Sequence, residues 1–394
     1  MNPRQLFLQR LAQTSPSPLL LEIEKAEGLY LHATDGKRYL DLISGISVSY
    51  LGHAHPQIIE AVKRQAEKHM HLMVYGEYVQ SPQVEFAGLL VQHLPENLNC
   101  VYFVNSGAEA TEGAMKLAKK ITGRADVVCC ENAYHGSTQG ALSLIGSEAL
   151  RVPFAPLLPG VKRIPFNNTD ALCEINNRTA CVILEPVQGE AGVRVAERDY
   201  LKALRKKCDE TGALLIFDEA QTAFGRTGKL FAFEQFGVAP DVLLLAKALG
   251  GGMPLGAFIS SSEKMAVLSG NPALGHITTF GGHPVCCAAG MAAMRVLLES
   301  GLMKEVSAKE KLFQRSLTNP AIKQFRSCGL LIALEFDSFS VCKKIIDGCI
   351  ERGIITDWFL FADNCLRIAP PLTISEKEIR EACAVIQDAI AGAI

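Results

Sequence analysis

The chain reads as an α/β protein built on a mostly parallel sheet. Between about residues 101 and 260, short apolar runs with the length and branching of fully buried strands alternate with helical segments. Several of these runs, including VYFV, VVCC, CVIL and LLIF, lead directly into polar or charged residues. An alternating, antiparallel-type pattern is found outside this block in Leu19–Leu42, and an α+β pattern after about Leu297.

Taken in order, residues 3–13 suggest a short amphipathic helix stopped by the Ser-Pro repeat at 15–18. Leu19–Leu42 alternates as strands do, with Asp35-Gly36 as a hairpin turn. The stretch GISVSYLGHAHP, 45–56, is loop-like. His53 and His55 lack further ligands at a suitable spacing, so no metal site is expected. A helix is expected over Gln57–Met70, with Ile58, Ile59, Val62 and Ala66 on its apolar face, and another over about Pro82–Leu94. VYFV then feeds the small-residue turn Asn105-Ser106-Gly107-Ala108 and a helix running to Ile121. Such a turn is an anion site, because free N–H groups and the helix dipole converge there; Ser106 is equally suited to be a plain N-cap.

VVCC, 127–130, ends at Glu131 and leads to Tyr134-His135-Gly136, and CVIL runs into Glu185, Gln188 and Glu190. A helix over 198–210 leads to LLIF and Asp218, and VLLL, 242–245, reaches Lys247 ahead of Gly250-Gly251-Gly252. A short strand follows Gly256, and a close-packed helix spans Val285–Ala293. Beyond Leu297 the pattern is helix, strand (331–336), helix (341–352) and the segment CLRIAPPL, 365–372, as in a separate α+β layer.

Ligands of open α/β sheets sit outside the carboxyl ends of the strands, so Asp218 and Lys247 are expected to face one crevice. A buried amine beside a buried carboxylate suits pyridoxal phosphate, with Lys247 holding the cofactor aldehyde and Asp218 keeping the pyridine nitrogen protonated. The same two residues also suit a structural ion pair near a strand end.

Composition narrows the classes. A net charge of −2 draws the chain neither to nucleic acid nor to an anionic membrane surface. The thirteen cysteines are odd in number, include adjacent pairs (Cys129–Cys130, Cys286–Cys287) and form no C-x-x-C, which favours reduced thiols and a cytoplasmic setting. The N-terminal apolar segment is too broken for a signal-peptide core, and the uncharged region 265–294 carries Asn271, Pro272, His276 and His283 against a membrane span. GGGMPLG at 250–256 fails the dinucleotide spacing, GRTGKL at 225–230 fails the P-loop, and no G-x-S-x-G occurs.

Several stretches together resemble the class III pyridoxal-phosphate-dependent aminotransferases of the acetylornithine/ornithine type. They are LDLISGISVSYLGHAHP, NSGAEATEGAMKLA, AYHGST, ILEPVQGEAGV, LLIFDEAQTAFGRTG, AKALGGGMPLGA, TTFGGHP and LRIAPPLTI, in order from about residue 35 to 374. The resemblance implies the fold type I transferase architecture, with a central sheet of the seven-stranded type. It implies a large cofactor-binding domain, 45–290, and a small domain from both chain ends, 1–44 and 291–394. It further implies a homodimer with shared active sites, an amino donor and a 2-oxo acid as substrates, and a place in arginine biosynthesis.

By position, the resemblance makes Lys247 the cofactor-linked lysine and proton-transfer base, with Asp218 on the pyridine nitrogen and Gln221 on the phenolic oxygen. Ser106, Gly107 and Ala108 hold the phosphate, assisted by Thr279 of the other subunit. Tyr134 stacks on the ring, with His135 beside it and Glu185 in the cofactor shell. Glu190 pairs with Arg367, which binds a substrate α-carboxylate in one half-reaction and is masked in the other, giving a ping-pong transfer to 2-oxoglutarate. One substrate position departs: Ser137 stands where close members usually carry an arginine for the donor's distal carboxylate. Arg151 and Arg163 are candidate substitutes, and a putrescine-like diamine or other ω-amine is the alternative donor. A glutamate-1-semialdehyde-type aminomutase is a second alternative. A silent, non-enzymatic member is disfavoured by intact Lys247, Asp218 and Glu190.

Overall fold

The computed structural model describes residues 2–74 and 76–394. Its centre is a seven-stranded sheet made of Cys100–Val104 (β1), Asp126–Cys130 (β2), Val161–Ile164 (β3), Thr179–Leu184 (β4), Leu214–Asp218 (β5), Val242–Leu245 (β6) and Gly256–Ser260 (β7). The spatial order is β1-β7-β6-β5-β4-β2-β3. Only β7 runs antiparallel to its neighbours; the pairs from β6 to β3 are all parallel. Every residue of β4, β5 and β6 is buried, so their apolar runs are continuous because both faces are covered. The helices Gly107–Thr122 and Arg198–Thr211 each end on a glycine in the left-handed conformation, which closes the last turn before the next strand.

The chain ends meet in a second sheet. Ile23–Glu27, Tyr30–Ala33 and Arg38–Asp41 form an antiparallel meander, and Ile354–Ile355 joins Arg38–Asp41 in parallel. A third, antiparallel sheet orders Gln324–Cys328, Leu331–Glu335, Ala362–Ile368 and Asp357–Phe359. Helices Phe339–Glu351 and Glu376–Ala393 pack against each other beside it. All thirteen cysteines are free thiols, and among the described residues no single helix is long and apolar enough to cross a membrane.

Some local expectations are corrected. The first helix stops at Arg10 rather than residue 13 and buries none of its residues in this chain, so it has no apolar face turned to the core. Helix Pro56–Lys68 buries Ile58 and Gln65, while Ile59 is 41% exposed and Ala66 is exposed; the buried stripe is narrower than the apolar residues suggest. The C-terminal helix carries a signal that apolar counting passes over, the capping box of Ser375 with Glu378.

Close packing governs the crevice wall. Gly113 lies in the helix Gly107–Thr122 against Phe258 of β7, whose ring is stacked on Tyr102 at 4.8 Å. A methyl at Gly113 would run into that ring, which has no room to retreat. Gly113→Ala is therefore expected to destabilise the protein by about 1–3 kcal/mol, although alanine is the better helix former. The thermal unfolding midpoint of the variant checks this, and an unchanged or raised midpoint contradicts it.

Candidate active site

The parallel strands place their carboxyl ends along one edge, and a cavity of about 430 Å³ opens there. It is lined by Ser106, Gly107 and Ala108 after β1, Tyr134, His135 and Ser137 after β2, and Glu185 after β4. Asp218 and Gln221 enter from β5, and Lys247 from β6. A larger cleft of about 850 Å³, lined in part by Phe166, Arg326 and Phe361, contains none of these groups.

Alternation along β5 separates its two acids. Asp218 faces the cavity, whereas Glu219 turns into the protein and accepts the N–H groups of Ala232 and Phe233 at 2.5 and 2.7 Å. Asp218 Oδ1 accepts the N–H of Ala220 at 3.0 Å, and Oδ2 lies 2.8 Å from His135 Nδ1. Because a carboxylate only accepts, Nδ1 is assigned the proton. His135 is held by its carbonyl, which accepts from Thr111 Oγ1 at 2.9 Å, and its Nε2 is buried without a partner among the described residues. Lys247 has φ of +51°, a left-handed conformation that a non-glycine residue holds only where its surroundings impose it. Burial lowers its pKa, against the attraction of Glu190 and Asp218.

Around the turn after β1 the backbones approach closely. The Ser106 hydroxyl accepts the N–H of Glu109 at 3.1 Å, so it is an N-cap, while the first helical residues Gly107 and Ala108 keep N–H groups without intrahelical acceptors. Gly136 has φ of +124°, and a Cβ there would stand 2.6 Å from the Ala108 Cβ. Glu185 is buried and accepts the N–H groups of Tyr134 and Gly189 at 3.3 and 3.4 Å. Burial, then the charge of Asp218, holds its carboxyl well above the usual carboxylate range.

Behind Gln221, outside the cavity lining, lies an ion pair. Arg367 donates from Nη1 and Nη2 to the two oxygens of Glu190, at 3.0 and 2.9 Å, with both residues under 5% exposed. Gln221 Nε2 donates to Glu190 Oε1 at 2.9 Å, and Gln221 Oε1 is buried without a partner. Burial raises the Glu190 pKa, but Arg367 outweighs it and the net shift is downward. Sequence reasoning missed Asp357, whose Oδ1 is 3.0 Å from Arg367 Nε, and Phe359, whose ring lies 4.4 Å from the guanidinium carbon. Burial first, against Arg367, pushes the Asp357 carboxyl up to about 6.

Other positions fall elsewhere. Thr279 is exposed and does not line this chain's cavity. The Ser137 hydroxyl is 3.1 Å from Tyr134 Oη. Neither arginine proposed to replace a cation there reaches the cavity: Arg163 is spent on the carbonyls of Ile145 and Ser143, and Arg151 lies 3.9 Å from Glu148. His53 Nε2 sits 2.8 Å from Asp41.

These residues fit pyridoxal phosphate. An amine, a carboxylate and a helix start surround one cavity, with the unpartnered Gln221 oxygen and His135 nitrogen beside them. The family described as Aminotransferase class-III matches residues 11–390. The acetylornithine aminotransferase of Methanocaldococcus jannaschii is 42% identical over 90% of this chain and 89% of its own. That of Caldanaerobacter subterraneus subsp. tengcongensis is 38% identical over 93% of each. The structure of ornithine aminotransferase from Toxoplasma gondii, described with partial occupancy of PLP at its active site, superposes with a TM-score of 0.91 at 31% identity, covering 99% of this chain and 93% of that one.

Breaking the buried pair leaves a charge without a partner, which typically costs about 3–5 kcal/mol. Arg367→Met is thus expected to lower the unfolding midpoint well below that of the double variant Glu190→Gln/Arg367→Met, in which both charges are gone. Equal midpoints for the two variants would contradict a desolvated ion pair.

Proposed function

This chain belongs to the class-III aminotransferases, and we propose that it moves the terminal amino group of acetylornithine or ornithine to 2-oxoglutarate, giving glutamate. The observation that carries the reading is the bidentate Glu190–Arg367 pair, whose acid also attracts the Lys247 amine. The cofactor is pyridoxal phosphate, which when bound supplies an aldehyde to take up the amino group and a ring that disperses charge from carbon.

The chain's residues supply the rest. Lys247, whose pKa burial lowers, is the residue that would take and return a proton at Nζ. Asp218, held by His135 and the Ala220 N–H, would keep a proton on the ring nitrogen. The Ser106-Gly107-Ala108 turn would hold the phosphate through the helix N-terminus. Gln221 would meet the phenolic oxygen, with Tyr134 and Glu185 completing the shell. With Glu190 on Arg367, the donor's amine enters without meeting a free cation. With Glu190 withdrawn, Arg367 takes the α-carboxylate of the oxo acid in a bidentate grip. The two half-reactions follow one another on one site.

We assign residues 45–290 to the large domain and 1–44 with 291–394 to the small one; the sheet that joins Arg38–Asp41 to Ile354–Ile355 supports this. We assign a homodimer in which Thr279 of one subunit assists the phosphate site of the other. Exposed Val79 (93%), Met70 and Phe280 support an apolar surface covered by a second copy. A cytoplasmic place in arginine biosynthesis accords with the relatives and with the free thiols.

A second reading takes the donor to be a diamine or another ω-amine without a distal carboxylate. It is favoured by Ser137 and by the absence of Arg151 and Arg163 from the cavity lining. An aminomutase would need no external oxo acid.

Mixing the holoenzyme with one donor at a time, without acceptor, separates these readings through the absorbance change from the aldehyde to the amine form of the cofactor. Rapid conversion by acetylornithine or ornithine is expected. Conversion by putrescine alone would move the assignment to the second reading, and turnover independent of 2-oxoglutarate would move it to the aminomutase. Lys247→Ala is expected to abolish conversion. Ser137→Arg is expected to lower the KM of acetylornithine about ten- to a hundredfold, the worth of one charge-assisted hydrogen bond, while leaving putrescine no better.

A further inference from the structure

The proposed exchange at Arg367 poses a physical problem. A guanidinium held by one acid alone follows that acid when it swings away, because a buried cation without a partner is costly. The structure gives Arg367 a second set of contacts, from the neighbouring strand Asp357–Phe359 and the residue before it. Asp357 is the direct cross-strand partner of Arg367. Its Oδ1 is 3.0 Å from Nε, with the N–H not aligned on the oxygen, so the contact acts as an ion pair. The Trp358 carbonyl accepts from Nη2 at 3.0 Å, the Phe359 ring lies against the guanidinium at 4.4 Å, and Thr356 Oγ1 donates to the Arg367 carbonyl at 2.6 Å.

Glu190 is attached differently. It stands 177 residues away in sequence, on the segment that follows β4, and it uses Nη1 and Nη2 only. The two acids thus divide the guanidinium between them. We propose that Asp357 is a positioning residue, which holds Arg367 in place through its Nε edge while the terminal nitrogens pass from Glu190 to the substrate carboxylate. Asp357 cannot leave with Glu190, since its position opposite Arg367 is set by the strand pairing. Arg367 keeps a counter-ion in both states, and its charge environment is the same whether a glutamate or a substrate carboxylate occupies the fork. The inference rests on the reading of Arg367 as the α-carboxylate site.

The test compares half-reactions of the holoenzyme. In Asp357→Ala, the KM for 2-oxoglutarate acting on the amine-form enzyme is expected to rise about tenfold or more with kcat changed less than threefold, and the donor half-reaction is expected to lose much less. Asp357→Asn, which keeps an oxygen beside Nε without the charge and is isosteric, is expected to fall between the native protein and the alanine variant; it carries the test if the alanine variant does not fold. An unchanged KM in both variants overturns the proposal, as does an equal loss in the two half-reactions, which would mark a general structural role. If the native enzyme itself fails to react with 2-oxoglutarate, the reading of Arg367 falls and this proposal with it; if it reacts and the variants show no selective rise, the proposal falls alone.

Discussion

The buried Glu190–Arg367 ion pair is the interaction on which the site depends. It joins an acid that follows a strand of the parallel sheet to a base on the antiparallel sheet near the C-terminus. Two charges removed from water are costly, and their attraction offsets this only when the geometry is good and the remaining polar atoms are satisfied. Here Gln221 and the Leu360 N–H satisfy Glu190, while Asp357 and the Trp358 carbonyl meet Arg367. The same pair stands close enough to Lys247 for Glu190 to exert the largest attraction on its amine.

The parallel sheet supplies the other constraint. Strands that run the same way deliver their exits to one edge, so residues far apart in the chain arrive at one cavity without any of them being on a long loop. The strands are apolar on both faces, and burial at their exits lowers the Lys247 pKa and raises that of Glu185. Asp218 stays polar in its surroundings by two contacts, His135 and the Ala220 N–H, and the second is fixed by the turn itself. Close backbone approaches at Gly136 and Gly256 leave no room for side chains beside the Ser106 turn, which keeps the helix start open to an anion.

The surroundings of Ser137 are differently charged. The Ser137–Tyr134 hydroxyl contact is neutral, Arg163 is bound to the carbonyls of Ile145 and Ser143, and Arg151 does not line the cavity. A carboxylate at that end of a substrate finds hydrogen bonds but no counter-charge from this chain's cavity wall. Arg367 is a cation flanked by two acids, Glu190 and Asp357. The charged groups of this chain are therefore gathered on one side of the Ser137 hydroxyl's surroundings rather than around it.

Much of this was legible in the amino-acid order. Buried parallel strands announce themselves as unbroken apolar runs, so β4, β5 and β6 and the polar residues at their ends were readable, and with them Asp218, Lys247 and the Ser106 turn. A helix with an exposed apolar side is not: residues 3–13 read as amphipathic, yet the helix Pro3–Arg10 buries none of its residues against the described chain. Nor does spacing reveal Asp357, since its partnership with Arg367 exists only through the register of a two-stranded pairing. Sequence by itself determined which chemical groups are present and which strands carry them, because burial and periodicity are local properties. The Glu190–Arg367 pairing was carried by the motif resemblance and not by spacing; tertiary structure alone decided that Arg163 is consumed by carbonyls and that a second acid, Asp357, stands beside Arg367, because ion pairing depends on distances that no local pattern encodes.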